Sequence, residues 1–305
     1  MDQLRYDGRV AIVTGGARGI GREHVRILAE RGAKVVIADL GGAIAGGGAD
    51  TTPADQAVAE VAADGGEAVA CYADVSDPAG AASIVQTALD TYGKLDILVN
   101  NAGTFDPGFF DELEPAQYQS MLDVHFFGTL HTCRAAWPHM VAAGYGRIVN
   151  TASESVIGNV DRSANYATAK GAIFSFTKEL AQEGRPLGIR VNAIAPRAAT
   201  RMSEGRAKAI EADPNMPEGA ADAFREMLHP RHAAPAVGFL AHESCELEGE
   251  VLIAGMQRIY RLALVRSVGL TKDSGVVTPE DIVANLDSIM DLTDGLAQTP
   301  FSMDA

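Results

Sequence analysis

Short, almost continuous apolar runs alternate with longer helical patterns over the first two-thirds of the chain. The runs, with one more near residue 250, are Val10–Val13, Val35–Ala38, Ala68–Ala73, Ile97–Asn100, Arg147–Thr151, Arg190–Ile194 and Val251–Ala254. Such runs predict strands that are buried on both faces, as in a parallel sheet. Segments such as Ile20–Glu30 and Ile84–Thr91 have helical spacing. The alternation predicts one doubly wound α/β sheet.

Three segments interrupt this alternation. Gly41–Pro53 is rich in glycine and predicts a loop after the second strand. Residues 200–232 are polar and contain three prolines, which predicts a partly helical segment that covers a binding site. Thr278 followed by Pro279 predicts the start of a helix over Pro279–Met290. We therefore expect one domain over residues 1–268 and a C-terminal helical extension over residues 269–305.

Charge and composition narrow the classes of partner. The 305 residues carry a net charge of −15, which disfavours nucleic acid and anionic lipid as partners. No apolar stretch approaches the roughly 18 residues of a membrane span, and the N-terminus lacks the apolar run of a signal peptide. The three cysteines are far apart and suggest neither a disulfide framework nor a metal site. These features predict a cytoplasmic protein with a small-molecule substrate.

The turn after the first strand has the chemistry of a phosphate-binding site. Its glycines, Gly15, Gly19 and Gly21, lie between a strand and a helix, so the backbone can approach a pyrophosphate at the helix N-terminus. The spacing also fits a tight structural turn. Asp39, at the end of the second strand, can accept hydrogen bonds from an adenosine ribose and would repel a 2′-phosphate. Arg18 would favour that phosphate, but we weight Asp39 more heavily and predict NAD rather than NADP.

A second group of polar residues follows later strands. Tyr166 and Lys170 are four residues apart, so they share one face of a helix. An ammonium group beside a phenol lowers the pKa of the phenol, which would make Tyr166 a usable base. Such a pair is also common on helix surfaces. Ser153 closes a strand thirteen residues earlier, and Asn100–Gly103 end the preceding strand, so we expect these motifs at one edge of the sheet.

Taken together, these motifs resemble the short-chain dehydrogenase/reductase family. The matching residues are Thr14, Gly15, Gly19, Gly21, Asp39, Asp74, Val75, Asn100–Gly103, Ser153, Tyr166 and Lys170. The resemblance implies a Rossmann-like, seven-stranded parallel sheet of strand order 3-2-1-4-5-6-7. It also implies hydride transfer between a carbinol or carbonyl carbon and a nicotinamide.

The resemblance assigns roles to individual residues. It implies that Tyr166 is the acid/base, that Ser153 holds the substrate oxygen, and that Lys170 binds the nicotinamide ribose and tunes Tyr166. Asp74 and Val75 would contact adenine. The residues expected to bind the cofactor are Thr14, Gly15, Arg18, Gly19, Ile20, Gly21, Asp39, Asp74, Val75, Asn101, Ala102, Gly103, Tyr166, Lys170 and Pro196. Pro196 is followed by Arg197, where much of the family has glycine.

Further segments resemble the (3R)-hydroxyacyl-CoA dehydrogenase units of peroxisomal type 2 multifunctional enzymes. These segments are residues 39–42, 135–140, 241–246 and 278–280. This closer resemblance implies oxidation of a (3R)-hydroxyacyl-CoA to the 3-oxoacyl-CoA, with NAD accepting the hydride. His125 stands where many members of the larger family have an asparagine that holds a proton-relay water. It is expected either to act as a relay, with one ring nitrogen on a backbone carbonyl and the other on the water, or to be a structural histidine.

The substrate and the assembly stay open at this stage. An acyl-CoA would need a cationic rim, for which the candidates in or beside the cover are Arg201, Arg206, Lys208, Arg225 and Arg231. These cations also fit a solvated surface. A steroid or terpenoid alcohol is an alternative substrate, and a non-catalytic NAD-binding regulator is an alternative from another class. Apolar helices around Phe126–Leu130 and Ile173–Leu180 would leave hydrophobic faces exposed in a monomer. The family resemblance implies that such helices pair subunits, so we expect a homodimer or homotetramer.

Overall fold

The computed structural model describes residues 3–198, 204–213 and 215–297. The apolar runs form the strands of a parallel sheet whose order is β3-β2-β1-β4-β5-β6-β7, as predicted. The strand bounds are Val10–Thr14 (β1), Lys34–Ala38 (β2), Glu67–Cys71 (β3), Ile97–Asn100 (β4), Gly146–Thr151 (β5), Ile189–Arg197 (β6) and Val251–Gly255 (β7). β1 pairs with β2 and β4, so the sheet changes direction beside β1, where α/β sheets of this type form a ligand crevice.

An eighth strand, β8 (Arg258–Leu262), extends the sheet beyond β7. Met256 and Gln257 connect the two strands, and both have positive φ, of 54° and 58°. Two such residues form the type I′ turn that joins antiparallel strands. The pattern of apolar residues does not predict this strand.

Helices cover both faces of the sheet and bury two apolar clusters. Helices α1 (Gly19–Ala29), α2 (Thr52–Ala63) and α9 (Ala234–Leu240) pack on one face. Helices α3 (Pro78–Tyr92), α5 (Gly128–Ala143) and α6 (Ala164–Gly184) pack on the other face. The central strands β1 and β4 are completely buried between these clusters, which explains why their sequences are almost continuously apolar.

The remaining helices lie in the connections. These are α4 (Pro115–Leu122), which continues into a π-helical turn at Asp123–Phe127, and α7 (Glu204–Ala212) and α8 (Ala220–Met227) in the predicted cover. Short 3-10 turns occur at Glu154–Ile157, Arg185–Leu187 and Pro230–His232. In the part of the chain that the structure describes, no helix has the length and apolar character needed to cross a bilayer.

The chain divides into two compact units, Met1–Tyr260 and Arg261–Ala305; the domain boundary near residue 268 stays a prediction. The second unit contains two-residue strands, β9 (Val265–Arg266) and β10 (Leu296–Ala297), which pair antiparallel. Its predicted helix is divided into α10 (Pro279–Ala284) and α11 (Leu286–Met290).

The C-terminal helix begins where the sequence predicts and is interrupted six residues later. Thr278 and Asp281 form a capping box at the start of α10, with each side chain accepting from the backbone of the other. The break occurs at Asn285, which has φ −119° and donates its side-chain amide to the Asp281 carbonyl at 2.7 Å. An asparagine side chain can compete with helical backbone bonds in this way.

Candidate active site

The phosphate-binding turn joins β1 to α1 at the edge of the cleft. Gly21 lies so close to the preceding loop that a Cβ atom there would be 2.0 Å from the carbonyl oxygen of Gly15. Only glycine permits this approach between the helix and the turn. The Arg18 side chain, at the N-cap of α1, makes no capping hydrogen bond. The positive end of the α1 dipole is therefore available to an anion.

Asp39 follows β2 and is held in place by the backbone. Its two carboxylate oxygens accept hydrogen bonds from the amides of Ala17, at 2.9 Å, and Gly41, at 2.8 Å. The carboxylate thus stands between the phosphate-binding turn and the Gly-rich loop. Arg18 lies 3.8 Å from the carboxylate of Asp50, at the far end of that loop. The cation that could have favoured a 2′-phosphate is therefore paired with an acid.

The loops after β1 and β4 are tied together by Thr14. Its hydroxyl accepts hydrogen bonds from the amides of Asn101, at 3.0 Å, and Ala102, at 3.1 Å. The Asn101 side chain in turn donates to the carbonyls of Thr14 and Gly15. Thr14 is 2% exposed and does not line the cleft, so its observed contacts are structural.

A cleft of about 460 Å³ lies at the carboxyl ends of these strands. Fourteen of the fifteen residues predicted to bind the cofactor line it: Gly15, Arg18, Gly19, Ile20, Gly21, Asp39, Asp74, Val75, Asn101, Ala102, Gly103, Tyr166, Lys170 and Pro196. The Gly-rich loop also lines it, through Leu40, Gly42, Ala43, Ile44, Gly46 and Gly47. The amide of Phe105 donates to the Ile44 carbonyl at 2.8 Å, which attaches this loop to the one after β4. The run of glycines in the sequence predicts this loop. It does not predict that the loop lines the cleft.

Ser153, Tyr166 and Lys170 meet beside this cleft. Ser153 follows β5 as the N-cap of a 3-10 turn, and its hydroxyl acts to lower the pKa of the nearby Tyr166 phenol. Lys170, one helical turn beyond Tyr166 in α6, has its ammonium nitrogen 5.6 Å from the centre of the tyrosine ring. The same nitrogen donates to the carbonyl of Thr151 at 2.7 Å. The serine and the tyrosine can therefore grip one substrate oxygen.

Burial dominates the acid–base properties of this group. It raises the pKa of the Tyr166 phenol, while the Ser153 hydroxyl acts in the opposite direction. Burial also lowers the pKa of the Lys170 ammonium to about 7. In the protein alone the pKa of Tyr166 is therefore raised and not lowered, because burial removes the phenol from water. The part of Lys170 in lowering that pKa stays a prediction.

His125 lies in the π-helical turn and faces Tyr166. The two ring centres are 5.4 Å apart, and the rings meet edge to face. Its Nε2 is 2.8 Å from the Thr104 carbonyl, which matches the backbone contact predicted for one ring nitrogen. Burial, and then the charge of Lys170, hold the pKa of His125 well below its usual range. Nδ1 is buried and makes no hydrogen bond to the described residues.

The site fits a nicotinamide dinucleotide on several observations. The missing Cβ of Gly21 and the open α1 N-terminus suit a pyrophosphate, and Asp39 suits a ribose. Thr151 Oγ1, like His125 Nδ1, is buried without a partner among the described residues. Unpaired polar atoms of this kind are costly unless water or a ligand satisfies them. Within the described residues no cluster of side chains could hold a metal ion.

The predicted cationic rim is described only in part. Arg225 is paired with Asp222 at 3.0 Å, and Arg231 is paired with Glu226. Lys208 is exposed on α7. Arg201 and the side chain of Arg206 lie outside the described part of the structure. The two paired arginines fit a solvated charged surface better than a free anion-binding rim.

The chain is similar to known proteins over most of its length. The chain is 39% identical over 292 residues to the peroxisomal multifunctional enzyme type 2 of Mus musculus; the match covers 95% of this chain and 38% of the mouse protein. It is also similar to a short chain dehydrogenase of Mycobacterium avium whose crystal structure is known, with a TM-score of 0.74, 32% identity and coverage of 93% and 95% of the two chains. Carveol dehydrogenase of M. avium in complex with NAD gives a TM-score of 0.72 at 28% identity, with coverage of 82% and 97%.

A profile described as short chain dehydrogenase matches residues 9–211, which include the phosphate-binding turn, Asp39, Ser153, Tyr166 and Lys170. The chain therefore belongs to the short-chain dehydrogenase/reductase family of oxidoreductases.

Proposed function

We propose that this enzyme oxidises a (3R)-hydroxyacyl-CoA to the 3-oxoacyl-CoA, with NAD as the hydride acceptor. The observation that carries the proposal is that Tyr166 and Lys170 line the cleft, with the Ser153 hydroxyl close enough to Tyr166 to lower the pKa of its phenol. Oxidising a secondary alcohol requires a group that holds its oxygen and a group that takes its proton. A serine hydroxyl beside a tyrosine phenol supplies both.

The protein's part in the reaction is to hold the alcohol and move one proton. The Ser153 hydroxyl holds the substrate oxygen, and Tyr166, as phenolate, takes the hydroxyl proton while hydride leaves the carbinol carbon. A bound nicotinamide would supply the hydride acceptor. Lys170, in its protonated form, stabilises the Tyr166 phenolate. His125 passes protons through a water at Nδ1, since Nε2 is engaged by the Thr104 carbonyl.

The preference for NAD rests on two carboxylates. Asp39 is fixed by two backbone amides at the place where the adenosine ribose would lie, and a 2′-phosphate there would face its charge. Asp50 pairs with Arg18, the cation best placed to compensate. Both contacts favour a ribose with free hydroxyls.

The likeness to the mouse peroxisomal multifunctional enzyme type 2 supports an acyl-CoA as substrate. That protein is one of the type 2 multifunctional enzymes that the sequence resembles. This chain spans 38% of the length of that protein, so its other activities do not transfer. The described cations of the cover give weaker support, because Arg225 and Arg231 are already paired with acids.

An alternative substrate is a terpenoid or steroid alcohol, which the likeness to carveol dehydrogenase favours. The same proton and hydride transfers serve it. Purified enzyme incubated with NAD and with each substrate class, and followed by the absorbance of reduced cofactor, distinguishes the two. A higher kcat/KM for (3R)-hydroxyacyl-CoAs than for terpenoid and steroid alcohols supports the proposal, and the reverse order refutes it.

Tyr166→Phe separates an enzyme from a non-catalytic regulator that only binds NAD. We expect turnover to fall by roughly 10²- to 10⁴-fold, the usual contribution of an acid–base group, while NAD binding is retained. Tyr145→Phe is the matched control, because it removes a phenol hydroxyl at the start of β5, at the opposite end of the strands. Equal turnover in Tyr166→Phe and wild type would show that the phenol has no catalytic role.

A further inference from the structure

An ion pair connects the turn that carries Ser153 to the end of β6. Glu154 follows Ser153 directly, and Arg197 follows Pro196, which lines the cofactor cleft. Arg197 donates through Nε and Nη2 to the two carboxylate oxygens of Glu154, both at 2.6 Å. The Glu154 side chain is 16% exposed and that of Arg197 is 36% exposed. A two-point contact of this kind fixes orientation as well as distance.

Arg197 also contacts β7 and β8. Its backbone pairs in register with Gly255 of β7. Its guanidinium carbon lies 5.4 Å from the centre of the Tyr260 ring in β8. The backbone of Arg197 is therefore held by β7 and its side chain by Tyr260 and Glu154, which makes Arg197 a fixed point for the turn.

The position of the 3-10 turn determines where the Ser153 hydroxyl lies. Ser153 is the N-cap of Glu154–Ile157, and its hydroxyl accepts from the amide of Ser155 at 3.1 Å. Because Ser155 is buried, the turn cannot rotate without disturbing the interior. A displacement of Glu154 would move the adjacent serine relative to Tyr166.

We infer that the Glu154–Arg197 pair is a positioning device that holds the Ser153 hydroxyl against Tyr166. The inference rests on the proposed function, in which that contact grips the substrate oxygen. The pair is not a binding site for an anionic part of the substrate, since both donors of Arg197 that face the turn are taken by the carboxylate. A glycine at position 197 would lack this contact.

The test removes each partner in the holoenzyme. Glu154→Gln and Arg197→Gln should each lower kcat about tenfold, equivalent to roughly 1.4 kcal/mol, and change the KM for NAD less than twofold. The double variant should lose little more than either single variant, because both disrupt one contact. The limb of the pH profile that reports Tyr166 should move to higher pH, because the Ser153 hydroxyl acts to lower the pKa of the phenol.

Glu248→Gln is the matched control for burial and for loss of an ion pair. Glu248 is 13% exposed and pairs with Arg185 and Arg190, close to the start of β6 and away from the cleft. The Glu248→Gln variant should be less stable than the wild type but keep its kcat and its pH profile. If the variants at Glu154 and Arg197 behave like this control, with kcat and pH profile unchanged, the positioning inference is refuted.

A readout without turnover separates this inference from the proposed function. Ultraviolet titration of the wild type, corrected with that of Tyr166→Phe, isolates the phenol of Tyr166. Glu154→Gln should raise the pKa of that phenol, and Glu248→Gln should not. A raised pKa supports the positioning role even if the wild type oxidises none of the tested alcohols. An unchanged pKa overturns it even if the wild type is an active dehydrogenase.

Discussion

We expect Lys170, although it belongs to the active site, to lower the free energy of unfolding. Burial lowers the pKa of its ammonium from 10.5 to about 7, and its nitrogen donates to the carbonyl of Thr151. Lys170→Met keeps a side chain of similar length and removes the titratable group. We therefore expect this variant to be more stable than the wild type near neutral pH in the absence of cofactor, and inactive as a dehydrogenase.

The magnitude and the sign follow from the two pKa values. Between pH 7 and pH 10.5 the unfolded chain binds a proton that the folded chain does not, so stability rises with pH across this window. A difference of about 3.5 pH units, at roughly 1.4 kcal/mol each, costs the folded state about 5 kcal/mol well below pH 7 and about 4 kcal/mol at pH 7. The variant also gives up a hydrogen bond worth about 1 kcal/mol, which leaves a net gain of about 3 kcal/mol at pH 7.

Urea unfolding at fixed protein concentration, between pH 6 and pH 10, measures this difference. Lys178→Met is the matched control, because Lys178 lies on the same helix and also donates to a backbone carbonyl, that of Gly249, but is only partly buried. The control should be no more stable than the wild type. The reasoning fails if Lys170→Met shows no gain at pH 7, or if its gain does not decrease towards pH 10.

Three other substitutions test the rest of the site. Gly103→Ala should lower both kcat and the melting temperature, because its Cβ would lie 2.4 Å from His125 Cε1 and displace the ring; steady-state kinetics and thermal unfolding measure this. Asp50→Ala should release Arg18 and lower the KM for NADP severalfold while that for NAD changes less, as measured with both cofactors. His125→Ala should lower kcat at least tenfold with NAD binding retained, and full turnover would exclude it from proton relay.

The sequence predicts the parallel sheet well because burial on both faces leaves a strong apolar signal. It misses β8 because that strand is an edge strand with exposed, partly charged residues, such as Arg258. The turn before β8 also lacks the usual signal. Met256 and Gln257 adopt positive φ, where Gly or Asn is the common choice. Tertiary pairing with β7, and not local preference, therefore determines this hairpin.

The active site likewise contains residues that the sequence predicts and residues that it does not. Ser153, Tyr166 and Lys170 could be predicted because strand ends and helix periodicity bring fixed spacings to one edge. The pair between Glu154 and Arg197 could not, because 43 residues separate its members and neither belongs to a motif. Such contacts depend on the positions that two loops take in the folded protein. The spacing of residues along one sequence does not specify these positions.

The titratable groups of the site have one property in common, which follows from burial. The pKa of Tyr166 is raised, and those of Lys170 and His125 are lowered, so burial favours the neutral form of all three. A phenolate must nevertheless form for alcohol oxidation. Among the described residues, the Ser153 hydroxyl acts to lower the pKa of the phenol. Formation of the base therefore depends on the position of Ser153 and on the charges that a bound cofactor brings, which makes a serine held in place by Glu154 and Arg197 part of the acid–base machinery.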